Sequence, residues 1–266
     1  QSYIAFFTIL YRSISPPRSV EGQRAGAKGE YTSLGSGISG ASRTFVTNRN
    51  RSTRRTMRSR LFYLLRFALV VLLSFLVLKG CFLLLVPAEG ALSMGDIFAV
   101  LYYGLSLDFS VLGYLLVIPL LMTAVSCFFR AFPARRALRP YHILTAALIS
   151  IVGITDVRLY PFWGFKLDAS IFLYLDQPGE AFASVSLPFI LLSLLLVLVI
   201  GLSVGFALDR TTEVRWPQLR RGGLYALPFV LLLGPTFLMI RGGVSQATAN
   251  VGQVYFSDRQ YLNHAA

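Results

Sequence analysis

Acidic residues are scarce in this chain: 12 Asp and Glu stand against 25 Lys and Arg, a formal net charge of +13, and charged residues make up only 14% of the whole. There are two histidines, His142 and His264, and neither has a neighbour at metal-ligand spacing. No metal site is expected, and both rings read as interfacial polar residues. The two cysteines, Cys81 and Cys127, each lie inside an apolar block, near opposite ends of neighbouring spans. That separation far exceeds the Cα distance of about 5.5 Å that a disulfide bridges, so two free thiols are expected. Catalytic patterns are equally sparse. "GLSVG", Gly201–Gly205, matches the nucleophile-elbow pattern but falls in the middle of an apolar run and not on a strand-to-helix turn. Its two glycines read instead as a small-xxx-small face for close helix packing. The triplets Arg221–Gly223 and Arg241–Gly243 are too few for an RNA-binding array and read as punctuation flanking helices.

What the chain has in quantity is apolar sequence. Hydrophobic residues make up 55% of it, in long uninterrupted blocks. This is the pattern of a multi-pass, all-α integral membrane protein. The basic residues lie in the short segments between blocks, where they set topology; nucleic acid is not an expected partner.

Residues 1–56 are rich in Ser, Gly and Arg, poor in acids and without apolar period, which predicts a disordered leader. The first methionine is Met57, and "MRSRLFYLLRFALVV" resembles an ordinary bacterial membrane-protein start, so the leader is expected to be non-native. A membrane domain is expected over 57–240. Its first span covers about Leu61 to Pro87 behind a basic flank. The block from Ile97 to Phe129 is too long for one untilted crossing and contains Asp108. It is therefore expected to break there, into a short outer interfacial helix, Ile97–Leu107, and a second span, Phe109–Phe129. The third span, about Ile143 to Leu159, is expected to end at Pro161 and Gly164, with Tyr160 and Trp163 as interface anchors. The fourth covers Val185 to Leu208, with Trp216 marking the inner interface, and the fifth covers Leu224 to Ile240. The loop "AEGALSMGD" has no Lys or Arg, whereas the flanks before span one, after span two and after span four are basic. Five transmembrane helices, N-terminus inside and C-terminus outside, satisfy every short loop.

Six ionisable residues map to the outer half: Lys79, Asp108, Asp156, Arg158, Lys166 and Asp168. A charge at membrane depth is costly unless it is paired or meets water. Solvation at the interface and snorkelling explain them simply; the sharper expectation is a polar cluster that receives a lipid headgroup. Residues 241–266 are expected to be an extracytoplasmic juxtamembrane connector. In it Val254, Tyr255, Phe256, Tyr261 and Leu262 would anchor along the membrane surface or dock on a further domain.

Three stretches, "GLSLDFSVLGYL", "DVRLYPFWGFKLDASIFLYLDQPGEAFAS" and "RGGVSQATANVGQVYFSDRQYLNHAA", resemble the amino-terminal membrane region of the lipoteichoic acid synthase-like family. The resemblance is to its Gram-negative branch of sulfatase-domain or phosphoglycerol-transferase proteins, and it covers about Met57 to Ala266. It implies a five-span anchor in the bacterial inner membrane, followed by a periplasmic catalytic domain of the alkaline phosphatase and sulfatase fold. That domain would use a threonine nucleophile and a divalent metal, commonly manganese, to move phosphoglycerol from phosphatidylglycerol to an acceptor. No catalytic residue of this chain corresponds to that machinery, so these residues alone are expected to be inactive, and no cofactor is expected in them. The implied partners are membrane lipids and the protein's own catalytic domain. A sulfatase- or phosphatase-type hydrolase would use the same anchor, and a small membrane transporter is the reading from a different class.

Overall fold

A continuous helix is the cheapest way to carry a backbone through hydrocarbon, because every peptide group then finds its partner within the segment. The computed structural model describes residues 38–87, 90–129, 133–167, 186–214, 216, 222–244 and 248–266, with backbone alone for 38–56, 222 and 251. The described residues are helical with no strand. Five helices are long and apolar enough to cross a membrane, the character of a multi-pass membrane protein. The chain divides into two units, 1–46 and 47–266. Of the first, only the helical backbone of 38–46 is described.

Helix α1 runs over Ile38–Leu85. The stretch from Ile38 onward, expected from composition to be disordered, is therefore helical. A formed span removes the nucleation cost for residues added to its N-terminus, and no proline stands between Ile38 and Leu61 to stop propagation. Helix α2 occupies Met94–Val125. It starts at a capping box, with the Asp96 amide donating to Ser93 Oγ at 3.1 Å and the Ser93 amide donating to Asp96 Oδ2 at 2.9 Å. The expected break at Asp108 is absent, and there is no separate interfacial helix over Ile97–Leu107. Asp108 is paired inside the bundle, so its charge does not force the chain out of the helix.

Helix α3, Ala134–Trp163, also runs on through the proline expected to end it. Pro161 sits in the last turn, where one lost hydrogen bond is a small penalty. Termination comes from Gly164, in the left-handed region at φ 71°, its amide donating to the Tyr160 carbonyl at 2.8 Å. Helix α4 spans Leu187–Thr211. The fifth span is interrupted at Leu232 into α5, Gly222–Leu231, and α6, Leu233–Arg241. Pro235 has no N–H to offer the Leu231 carbonyl, while Thr236 Oγ1 donates to the Leu232 carbonyl at 2.8 Å. Helix α6 closes in a Schellman turn: the Gly243 amide donates to the Leu238 carbonyl and the Gly242 amide to Met239, with both glycines at positive φ. The second RGG triplet is thus helix punctuation. A 3₁₀ turn, Val251–Val254, and helix α7, Gln260–Ala265, complete the order.

Three buried clusters lie along α1. Tyr63 and Leu64 pack with Leu120, Leu138 and Phe229 at one end; Phe67 and Val71 meet Leu112, Ile149 and Leu208 in the middle. Phe82, Leu83 and Val86 join Val100, Val157, Tyr261 and Leu262 at the other end, which we call the capped end. Cys127 and Cys81 are free thiols in the first and last of these clusters.

Small residues set the closest approaches. On α4, Gly201 faces Ser150 of α3, where an added Cβ would lie 2.9 Å from Ser150 Oγ, and Gly205 faces Ala146 at 3.5 Å. Both helices therefore contribute a small-xxx-small pair, and "GLSVG" is a packing face. Its Ser203 donates only to the Val199 carbonyl one turn back. Across the bundle, a Cβ on Gly113 of α2 would fall 3.0 Å from the Ile240 amide of α6. Gly201→Leu is expected to cost about 1–3 kcal/mol by overpacking. Gly234→Leu, where an added Cβ meets nothing within 4 Å, is the tolerated control. Thermal unfolding in detergent checks this, and equal melting of the two variants would refute the close contact.

Candidate functional site

The capped end collects most of the ionisable residues singled out in the sequence. Lys79 of α1 and Asp108 of α2 form an ion pair, Nζ to Oδ2, at 2.7 Å, with side-chain exposures of only 9% and 19%. One turn before Asp108 stands Gly104, buried, where a Cβ would collide with both Lys79 Nζ and the Ala266 carbonyl. Glycine here is what lets the lysine and the C-terminal segment approach the same spot.

The chain after α3 adds a second pair of charges. Asp156 Oδ1 accepts from the Leu167 amide at 2.7 Å, which folds the strand of chain after Gly164 back onto the helix. That return places Lys166 in the field of Asp156, Asp108 and Lys79, with its ammonium 5.5 Å from the centre of the Phe82 ring. Burial pushes the Lys166 ammonium below its ordinary range, the two carboxylates oppose that shift, and Lys79 adds to it. Two ammoniums and two carboxylates thus share one region and cancel in formal charge. Asp168 lies outside the described residues.

Over this quartet folds the segment from Val251 to Ala266. Asn263 organises it: its Oδ1 accepts from the Phe256 and Ser257 amides at 3.0 Å each, and its Nδ2 donates to the Ser257 carbonyl at 2.7 Å. The segment is fastened at several points. Tyr261 stacks on Phe82 and its hydroxyl donates to the Leu83 carbonyl at 3.0 Å. Tyr160 Oη and His264 Nδ1 are 2.9 Å apart, Phe256 stacks on Tyr103 at 4.7 Å, and Ser106 Oγ donates to Gln253 Oε1 at 3.2 Å. Arg259 pairs with Asp96 at 2.6 Å and donates to the Ala91 carbonyl at 3.2 Å. Of the five expected apolar anchors, Val254, Tyr261 and Leu262 are buried against the helix ends, Phe256 is partly covered, and Tyr255 is exposed. The segment is a cap on the bundle.

Arg158 is not part of the quartet. It faces α4, its Nε donating to Ser193 Oγ at 3.1 Å and its guanidinium carbon 4.0 Å from the centre of the Phe189 ring. Two residues separate it from Asp156, about 200° around the helix, so the two point to different neighbours. The aromatic residues expected as interface anchors divide as well. Tyr160 is engaged by His264 and packs edge-on to Phe82, Trp163 stacks on Phe165, and Trp216 lies at the opposite end, donating from Nε1 to the Thr212 carbonyl.

That opposite end holds two buried polar contacts and an exposed ion pair that the sequence did not reveal. Arg60, read there as part of a basic flank, is 3% exposed, and its Nε donates to Ser126 Oγ at 3.1 Å. His142, expected at an interface, is 1% exposed, with Nε2 at 3.1 Å from Tyr63 Oη. Arg135 pairs with Asp209 at 2.8 Å. Near-neighbour spacing carries no trace of these partners, which are 66, 79 and 74 positions apart.

Chemically, the quartet is a neutralised, covered cluster, and among the described residues no nucleophile is poised beside a base there. Among the described residues no group of three or more His, Cys, Asp or Glu could hold a metal ion. Its geometry suits positioning: it fixes α1 against α2 and seats the cap.

Removing one partner of the buried pair strands the other. Asp108→Ala is expected to cost about 3–5 kcal/mol, and Lys79→Met with Asp108→Leu to recover most of that loss. Melting of the three proteins in detergent checks this; a double variant no more stable than Asp108→Ala would overturn it. A pH effect is expected at the cap. His264 is held below its ordinary pKa of 6.5, by burial first and Lys166 second. When the cap lifts, the ring regains its ordinary proton affinity, so acidification through that range favours the lifted form. Amide exchange over 255–264, corrected for intrinsic rates, should rise between pH 8 and 6 and lose this dependence in His264→Gln. Family models, curated proteins and solved structures yield no match to this chain.

Proposed function

We propose that this chain is the membrane-embedded mount of a lipoteichoic acid synthase-like enzyme, one that transfers phosphoglycerol, or a related phosphate-ester headgroup, from membrane lipid to an extracytoplasmic acceptor. In this reading the N-terminus lies in the cytoplasm, the capped end faces the periplasm, and the membrane is the bacterial inner membrane. The catalytic threonine and the divalent metal, manganese by family resemblance, belong to a domain carried beyond the cap.

The observation that supports this reading best is the cap itself. A loose tail after the last span would let an attached domain wander. Here the segment is folded onto the helix ends by buried aromatics, an ion pair and an asparagine-built turn. A domain carried on it would be held at the leaflet, where the headgroup substrate is concentrated in two dimensions. The competing transporter reading needs charges lining an open path, whereas Lys79 and Asp108 are paired with each other and Asp156 and Lys166 lie in each other's field beneath the cap.

The test uses the full-length gene product in phosphatidylglycerol vesicles. Arg259→Ala with Tyr261→Ala loosens the mount and is expected to lower headgroup transfer roughly tenfold or more, through lost effective concentration. Turnover of a soluble phosphate ester should stay unchanged. Equal loss of both activities, or no release of phosphoglycerol by the wild type, would refute the proposal.

A further inference from the structure

Arg158 differs from the charges of the quartet and from Arg259, each of which has an opposite charge near it. Among the described residues it forms no ion pair, and its contacts are the bond from Nε to Ser193 Oγ and the Phe189 ring beneath it. The Nη amino groups carry four further N–H donors with no acceptor among the described residues. The side chain is half-buried. The protein orients the charge, and no described residue neutralises it.

Its depth matters. Helix α3 has 30 residues, about 45 Å at 1.5 Å per residue, so it overhangs a hydrocarbon core of about 30 Å by several ångströms at each end. Arg158 lies five residues from the end of the helix, which places its base near the boundary between acyl chains and headgroups. From α4, Phe189 and Ser193 flank the guanidinium close to that helix's own start. The surrounding surface is apolar and exposed, with Phe162 and Leu191 both open to the surroundings. A cation of fixed orientation with spare planar donors, at this depth on an apolar face, matches one oxyanion best, the phosphodiester of a membrane phospholipid, bound through the bidentate fork that arginine presents. No acidic side chain sits among its described partners to receive a headgroup amine, which favours an anionic lipid over a zwitterionic one.

We propose that Arg158, oriented by Ser193 and Phe189, binds the phosphodiester of an anionic phospholipid where α3 meets α4 at the capped end. This assignment stands apart from the phosphotransferase reading, since a bundle that transfers nothing would still hold the lipid.

The probe is the purified chain in nanodiscs of phosphatidylcholine and phosphatidylglycerol in equal parts, with bound lipid read by native mass spectrometry. The wild type is expected to retain one more phosphatidylglycerol than Arg158→Gln. Arg158→Lys keeps the charge without the fork and is expected to retain that lipid with about tenfold lower occupancy. Melting temperatures of all three identify any loss due to misfolding, and Arg158→Lys carries the test if Arg158→Gln does not fold. Equal retention in the wild type and both variants would overturn the site. Loss of the lipid from wild type on adding 10 mM inorganic phosphate would overturn the lipid assignment in favour of a soluble phosphate.

Discussion

The ion pair between Lys79 and Asp108 is the contact on which the capped end depends. Either residue alone would be an unpaid charge in an apolar bundle, at about 2.5–3.5 kcal/mol or more near a bilayer centre. At 2.7 Å each neutralises the other, and the consequences are geometric. Helix α2 passes through Asp108 without a break. Helices α1 and α2 are fixed in register, because a shift of one turn on either would separate the charges by about 5.4 Å. Gly104, one turn from Asp108, then leaves room for the C-terminal segment to reach the same place. Lys166 and Asp156 complete the balance from the chain that follows α3.

Features that depend on one segment were readable from the sequence. Five apolar blocks are five helical spans, the last of them interrupted at Leu232, the glycines of "GLSVG" are a packing face, and the Arg241–Gly243 triplet ends a helix. Features that depend on a partner from elsewhere were not. Asp108 alone argues for a helix break, and only Lys79, 29 positions earlier, reverses that argument. Pro161 alone argues for a stop, yet its place in a final turn makes it harmless. Arg60 and His142 look like interfacial residues because hydropathy is read along the chain, whereas their burial comes from helices packed around them. Periodicity likewise separates Asp156 from Arg158 by helical angle but does not say which face meets α4 and which meets the quartet.

The same logic explains how α4 stays attached. Leu191, Leu195, Leu198 and Leu202 are each more than half exposed, so much of this helix presents an apolar surface to its surroundings. In lipid that surface gains nothing from burial, since acyl chains are as apolar as leucine. Attachment must come from close packing and from polar contacts, and α4 has both along its contact with α3. Gly201 and Gly205 meet Ser150 and Ala146 in the middle, Ser193 accepts from Arg158 near one end, and Asp209 pairs with Arg135 near the other. The two arginines differ in what they have left to offer. Arg135 meets a carboxylate, whereas the described partners of Arg158 are a neutral hydroxyl and a ring. One arginine therefore serves α4 as a closed ion pair, and the other as a pin that bonds a described residue through Nε alone.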